Sequence, residues 1–181
     1  MPAGNLEEDM TKIVQIVRRS IRRHSQTEED EHQRLMNEAY KNWTDKVGMD
    51  YPEFLTKLNQ LERDAVVLGN FNYQVCNGGI YQWLGNRYYK GLASLQGAAK
   101  RVNETIHTRN TERFLDSLSE VENFAVEYQN IAEDEFYDDY SLELARFDES
   151  YYNFNVDLLK DIEDYFRKLS KPWEESKVKL S

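Results

Sequence analysis

The chain has 181 residues, 40% of them apolar and 31% charged, with a net charge of −10. That length is enough for one domain with a real core, and the acidic balance argues against direct nucleic-acid binding. The single cysteine, Cys76, excludes an intramolecular disulfide and a cysteine-based zinc site.

Only eight glycines and three prolines punctuate the sequence, which favours long helices over many short strands. Leu6, Met10, Ile13, Val17 and Ile21 recur at steps of three and four and predict an amphipathic helix over 6–23, with Arg18, Arg19, Arg22 and Arg23 at its C-terminal end. Thr27 is a cap for a second helix, whose apolar stripe is Leu35, Met36, Ala39, Tyr40, Trp43 and Val47 and whose end is Gly48. Asp50 precedes Pro52 and Glu53, a helix start. From there Phe54, Leu55, Leu58, Leu61, Ala65 and Leu68 carry one helix to about Val75.

Asn77-Gly78-Gly79 interrupts the pattern and predicts a tight join between helices, with Asn77 as cap. Ile80, Trp83 and Leu84 form the next short face. Tyr88 through Val102 reads as helix, and residues 103–111 as a polar link. A long helix then places Phe114, Leu118, Val121, Ala125 and Tyr128 inward. Residues 133–141, EDEFYDDYS, interleave acids with aromatics. Leu158, Leu159, Ile162, Tyr165, Phe166 and Leu169 mark a last helix over 156–169, stopped by Lys171-Pro172. The expected fold class is all-α: a helical extension over 1–48, a single helical bundle over 49–170 and a flexible tail over 171–181.

Catalytic motifs are missing. His24, His32 and His107 have no metal-ligand spacing and read as surface residues. Gly78-Gly79 is neither a phosphate loop nor a dinucleotide fingerprint. Cys76 has no nominated base and reads as buried helix-end packing. The Asp134/Asp138 and Glu135/Asp139 pairs lack the Glu-x-x-His of di-metal bundles. Tyr137, Tyr140, Tyr151, Tyr152 and Phe154 suit core or interface packing, a ligand cage being the other use. No metal, cofactor or enzymatic activity is expected. No apolar run nears the about 20 residues of a membrane helix, and MPAGNLEEDM lacks signal-peptide features, so no membrane association and a cytoplasmic location are expected.

The charge is concentrated. Residues 112–164 hold 3 Lys+Arg against 17 Asp+Glu, a net of −14, whereas residues 1–111 are near neutral. Glu112, Asp116, Glu120 and Glu127 share one helical stripe, and Asp157, Asp161 and Asp164 another. Residues one turn apart sit about 5–6 Å from each other, and duplex DNA presents one phosphate charge per roughly 3.4 Å of its axis on each strand. Acidic helices can therefore stand in for rows of backbone phosphate and attract a basic DNA-binding groove. Glu133, Asp134, Glu135, Asp138 and Asp139 extend the same surface.

Two blocks then point to a family. In QVCNGGIYQWLGN, the residues Val75, Asn77, Gly78, Gly79, Gln82, Trp83 and Asn86, with Gln74, Cys76 and Ile80 as departures, resemble a bacterial DNA-mimic protein family with an uncharacterised conserved helical domain. Asp148, Tyr151, Tyr152, Asp157 and Leu158 in ARFDESYYNFNVDLL are similar to its closing block. The resemblance covers about residues 50–169. It implies an all-α fold, a homodimer and acidic faces that occupy the DNA site of a regulator.

The expected function is thus a non-enzymatic inhibitor whose acidic helices occupy the site of a basic DNA-binding protein. The target would be a transcription factor or a nuclease such as an RNA-guided CRISPR effector, in a counter-defence role. The alternatives are an assembly module docking through its N-terminal amphipathic helix, and a small-ligand binder at the Asn-Gly-Gly turn with Tyr81, Gln82 and Trp83.

Overall fold

The computed structural model describes residues 30–44 and 50–178, and these residues are helical without strands. The helix predicted over 6–23, the Thr27 cap, Val47-Gly48 and the last three residues lie outside the described residues, as do the side chains of Tyr40 and Trp43. The helices are α1 (Glu31–Thr44), α2 (Tyr51–Lys57), α3 (Gln60–Gly85), a 3-10 turn (Tyr88–Gly91), α4 (Leu92–Ile106), α5 (Arg109–Asn130), α6 (Glu133–Tyr152) and α7 (Asn155–Val178).

Helix α3 is the axis of the bundle. Ala65, Val66, Val67, Leu68, Phe71, Val75, Ile80 and Leu84 are almost fully buried along it, together with the polar Asp64, Asn70 and Gln74. From Asp64 to Phe71 it is therefore buried on every side, as a central helix must be. Helices α1, α4 and α6 pack against it, and α7 closes the bundle against α1, α4 and α5. Where α1 crosses α3, the end of the Met36 side chain lies against Gly69 and would have to shift for a Cβ there.

Four boundaries differ from the sequence reading, each for a local reason. The helix begun at Asp50 ends at Lys57, because Asn59 starts another: its side chain accepts the Glu62 N–H at 2.9 Å and the Glu62 carboxylate accepts the Asn59 N–H at 3.0 Å. This capping box resolves the apolar run 54–68 into two helices. The expected polar link 103–111 shrinks to His107-Thr108. Asn103 and Thr111 bond to each other across it at 2.7 Å, and Thr108 caps α5. The acidic stretch 133–141 belongs to a single twenty-residue helix, α6. Helix α7 runs past Lys171-Pro172 to Val178.

Candidate functional site

Helices α5 and α6 form an antiparallel hairpin. Rings meet across it from its open end to its turn: Phe114 with Tyr151 at 6.2 Å, Phe124 with Phe147 at 6.0 Å and Tyr128 with Phe136 at 5.1 Å between centroids. These aromatic contacts fix which face of each helix is left outside.

On α5, Thr111, Phe114, Leu118, Val121 and Ala125 are buried. At about 100° per residue, Glu112, Asp116, Glu120 and Glu127 fall on the opposite side. The first three are exposed. Glu127 is half-buried beside the Tyr140 hydroxyl, which burial and this carboxylate keep protonated. One cation shares that stripe, the exposed Arg109 at the start of α5, and His107 Nε2 lies 3.8 Å from Glu112. From Asp116 on, the charged residues of the stripe are all acids. Arg113, the nearest cation in sequence, lies with its guanidinium 4.4 Å over the Phe154 ring.

On α6, Phe136, Leu144, Phe147 and Tyr151 face inward. Asp134, Glu135, Asp138 and Asp139 are exposed, with Asp138 and Glu149 most directly opposite the buried side. Glu133 is turned toward Tyr81, 3.4 Å from its hydroxyl. Leu142, 68% exposed, and Tyr137 also stand outside on this helix. Of the five aromatics suspected of caging a ligand, Tyr151 and Phe154 are core, and Tyr140 stacks on Phe136 at 4.8 Å.

Helix α7 is a different case. Asp157 and Asp164 are exposed, but Lys160, Arg167 and Lys168 share their face, and Lys160 bonds to Asp157 at 2.7 Å. Asp161 is half-buried and holds the start of α5, accepting from the Thr108 hydroxyl at 2.6 Å and from Asn110 at 3.3 Å. The acidic charge therefore gathers on α5 and α6, and α7 contributes only scattered, partly matched carboxylates.

The Asn-Gly-Gly stretch is a packed joint. It bends α3, with Gly78 at φ −156° and Gly79 at φ 76°, ψ 176°, the latter a region essentially reserved for glycine. Asn77 is exposed. The cap comes from α6: Asp148 Oδ1 accepts the Ile80 N–H at 2.8 Å. A Cβ on Gly79 would lie 2.2 Å from Asp148 Oδ2. Burial pushes the Asp148 carboxyl up, and the Ile80 N–H pulls it partly back. Across the bend, Gln82 and Asn86 both donate to Gln74 Oε1, at 2.6 and 2.9 Å, and Trp83 is buried edge-on to Phe71 at 5.4 Å. Cys76 is exposed rather than buried: its Sγ accepts from Asn155 at 3.0 Å, and burial of its surroundings raises its pKa. It is not an activated thiol.

Sequence reasoning missed two polar centres. Asp64, fully buried, accepts from Arg101 at 2.9 and 2.6 Å, from the Tyr165 hydroxyl at 2.8 Å and from Gln60 at 2.7 Å. Glu163 caps α1, taking the N–H groups of Glu31 and His32, each at 3.0 Å. His32 is no surface residue: its ring stacks on Phe166 at 4.9 Å and its Nε2 bonds to the Ala65 carbonyl at 2.9 Å. The i,i+4 spacing of Gln60 and Asp64 was legible, but nothing in the sequence joins Asp64 to Arg101 or Tyr165.

Among the described residues no group of three or more His, Cys, Asp or Glu is placed to hold a metal ion, and no helix is long and apolar enough to cross a membrane. An all-α bundle that carries its excess charge on one helical hairpin is the class of protein this fold defines. The chain belongs to the family described as DMP19-like protein, whose model matches residues 56–169, from the end of α2 into α7. That is a DNA-mimic family. No curated protein and no solved structure matches the chain.

Proposed function

We propose that this protein is a non-enzymatic inhibitor that offers the outer face of its α5–α6 hairpin to the DNA-binding surface of a basic protein, a transcription factor or a nuclease. The observation that carries the reading is the α5 stripe. Glu112, Asp116, Glu120 and Glu127 lie opposite the buried side, with Arg109 and His107 only at its start, beside Glu112, and no Lys or Arg on the stripe from Asp116 on. Like charges at i,i+4 cost a few tenths of a kcal/mol per pair. The pairs Glu112/Asp116 and Asp116/Glu120 give up that stability for a field that reaches a partner. Membership of a DNA-mimic family supports the same reading.

The Asn-Gly-Gly turn does not favour the small-ligand alternative, because Asp148 already fills the space against Gly79. The test is capture of basic proteins from host lysate at low and high salt. It uses the wild type and a variant carrying Glu112→Gln, Asp116→Asn, Glu120→Gln and Glu127→Gln. Binding that weakens steeply with salt and is lost in the variant is expected. Capture unchanged by the four substitutions would rule the hairpin out.

A further inference from the structure

One corner beside the hairpin's turn gathers rings and a carboxylate from four elements. Tyr81 comes from the second half of α3, Tyr89 from the 3-10 turn, Tyr128 from the end of α5, and Glu133 and Tyr137 from the start of α6. Ring centroids are 4.9 Å apart for Tyr81 and Tyr137, 6.0 Å for Tyr89 and Tyr128, and 6.3 Å for Tyr81 and Tyr128. Tyr81, Tyr89 and Tyr128 are half-buried, while Tyr137 is 48% exposed. The bend at Gly78-Gly79 aims Tyr81 here. A Cβ on Gly85 would stand 3.8 Å from both Glu133 Oε1 and the Tyr128 hydroxyl, so bare backbone forms the floor.

Core packing accounts for Phe136 and Trp83, which are buried. Tyr81, Tyr89 and Tyr128 also rest against the core, but each keeps part of its ring at the surface. Tyr137 stands outside against Tyr81, and the hydroxyls of Tyr81 and Tyr128 both turn to Glu133. Burial and Glu133 together push the Tyr128 hydroxyl up to about 12, and they raise Tyr81 as well, so both rings stay neutral and electron-rich. Ring faces attract a flat cation, and a carboxylate accepts paired N–H donors from a guanidinium. The chain already uses the ring half of this chemistry where Arg113 lies over Phe154. The acidic hairpin alongside supplies the complementary field.

We propose that the corner formed by Tyr81, Tyr89, Tyr128, Tyr137 and Glu133 seats an arginine side chain of the basic protein that the hairpin meets. This rests on the reading of the hairpin as a surface for a basic partner. It adds a point of recognition that a uniform row of charges lacks, since guanidinium and ammonium are alike to a distant field and unlike to a stacked ring.

The probe is a peptide of six arginines spaced by glycine, with its lysine counterpart, titrated at physiological salt while tyrosine fluorescence is followed. The wild type is expected to favour the arginine peptide by about fivefold. Tyr81→Leu, Glu133→Gln and Gly85→Leu, the last filling the floor without removing a ring, are each expected to abolish that preference with the helical spectrum retained. Equal affinity for the two peptides in the wild type would overturn the proposal. So would a preference that survives both Glu133→Gln and Gly85→Leu. Neutralising Glu112, Asp116 and Glu120 is expected to weaken both peptides together. That arm tests the hairpin, whereas the arginine-to-lysine ratio tests the corner.

Discussion

The side of the bundle where α1, α4 and α7 meet α3 and the outer face of the α5–α6 hairpin use charge in opposite ways. In the first region carboxylates have structural partners. Asp64 is held by Arg101, Tyr165 and Gln60, Glu163 caps α1, and Arg34 bridges Glu31 and Glu38. In the second, Asp116, Glu120, Asp134, Glu135, Asp138 and Asp139 point outward. Asp64 and Glu163 in the first set fix helix positions, and removing Asp64 leaves the buried Tyr165 hydroxyl without its partner, whereas the Arg34–Glu38 pair is exposed. The second set contributes little to the fold and can be removed at small cost. Stability and surface charge are thus separable in this chain, and substitutions can be chosen to move one without the other.

The largest effect is expected at Asp64. Asp64→Ala leaves the buried Tyr165 hydroxyl without its acceptor and the Arg101 guanidinium, which is 36% exposed, without its carboxylate. The loss is expected to be about 3 kcal/mol, below the upper range for a fully buried pair because solvent reaches Arg101, and is read as a lower urea midpoint. Gly79→Ala comes next, at about 2 kcal/mol, because a side chain at φ 76°, ψ 176° is strained and meets Asp148. Asn77→Ala, two residues away, is expected to stay within about 0.5 kcal/mol, since the cap at Ile80 comes from Asp148. Equal losses at the two positions would return the capping role to Asn77.

The third effect is a pH dependence. Burial lowers the His32 pKa below its ordinary 6.5, against smaller opposing contributions from the Ala65 carbonyl and Glu163. The folded form therefore binds this proton less readily than the unfolded chain. The stability contribution is complete above the unfolded value and is lost as pH falls through the folded one. His32→Gln, which keeps a donor for Ala65, is expected to flatten the decline in denaturation midpoint below pH 6.5. An unchanged slope would assign the decline to other groups.

The smallest effect is expected on the hairpin. Replacing Asp116 and Glu120 with their amides, and keeping Glu112, which favours the first turn of α5, removes i,i+4 repulsions of a few tenths of a kcal/mol each. Thermal unfolding should then stay level or shift slightly upward. A clear loss of stability would show that these acids hold the fold, and the contrast between the two regions would fail.

Local periodicity carried most of the helices into view. The stripe on α5 was legible because a helix's period alone decides that Glu112, Asp116, Glu120 and Glu127 share a side. The capping box Asn59-Glu62 was also written in the sequence, but the apolar spacing through Leu58 and Leu61 runs straight across it. What stayed hidden depends on contacts between distant segments. Asp148 caps Ile80 from 68 residues away. Asp161 reads as one of a stripe on α7 until Thr108 and Asn110 are seen bonded to it. Cys76 reads as buried helix-end packing, yet it lies at the surface beside Asn155.

The central claim is that the hairpin takes the place of duplex DNA on a basic protein. Its most direct measurement follows the anisotropy of a labelled duplex bound by the host's DNA-binding proteins as this protein is added. The wild type is expected to displace the duplex, less effectively as salt rises, and the variant with Glu112, Asp116, Glu120 and Glu127 neutralised is expected to leave it bound. Displacement by the variant equal to that of the wild type would contradict the account.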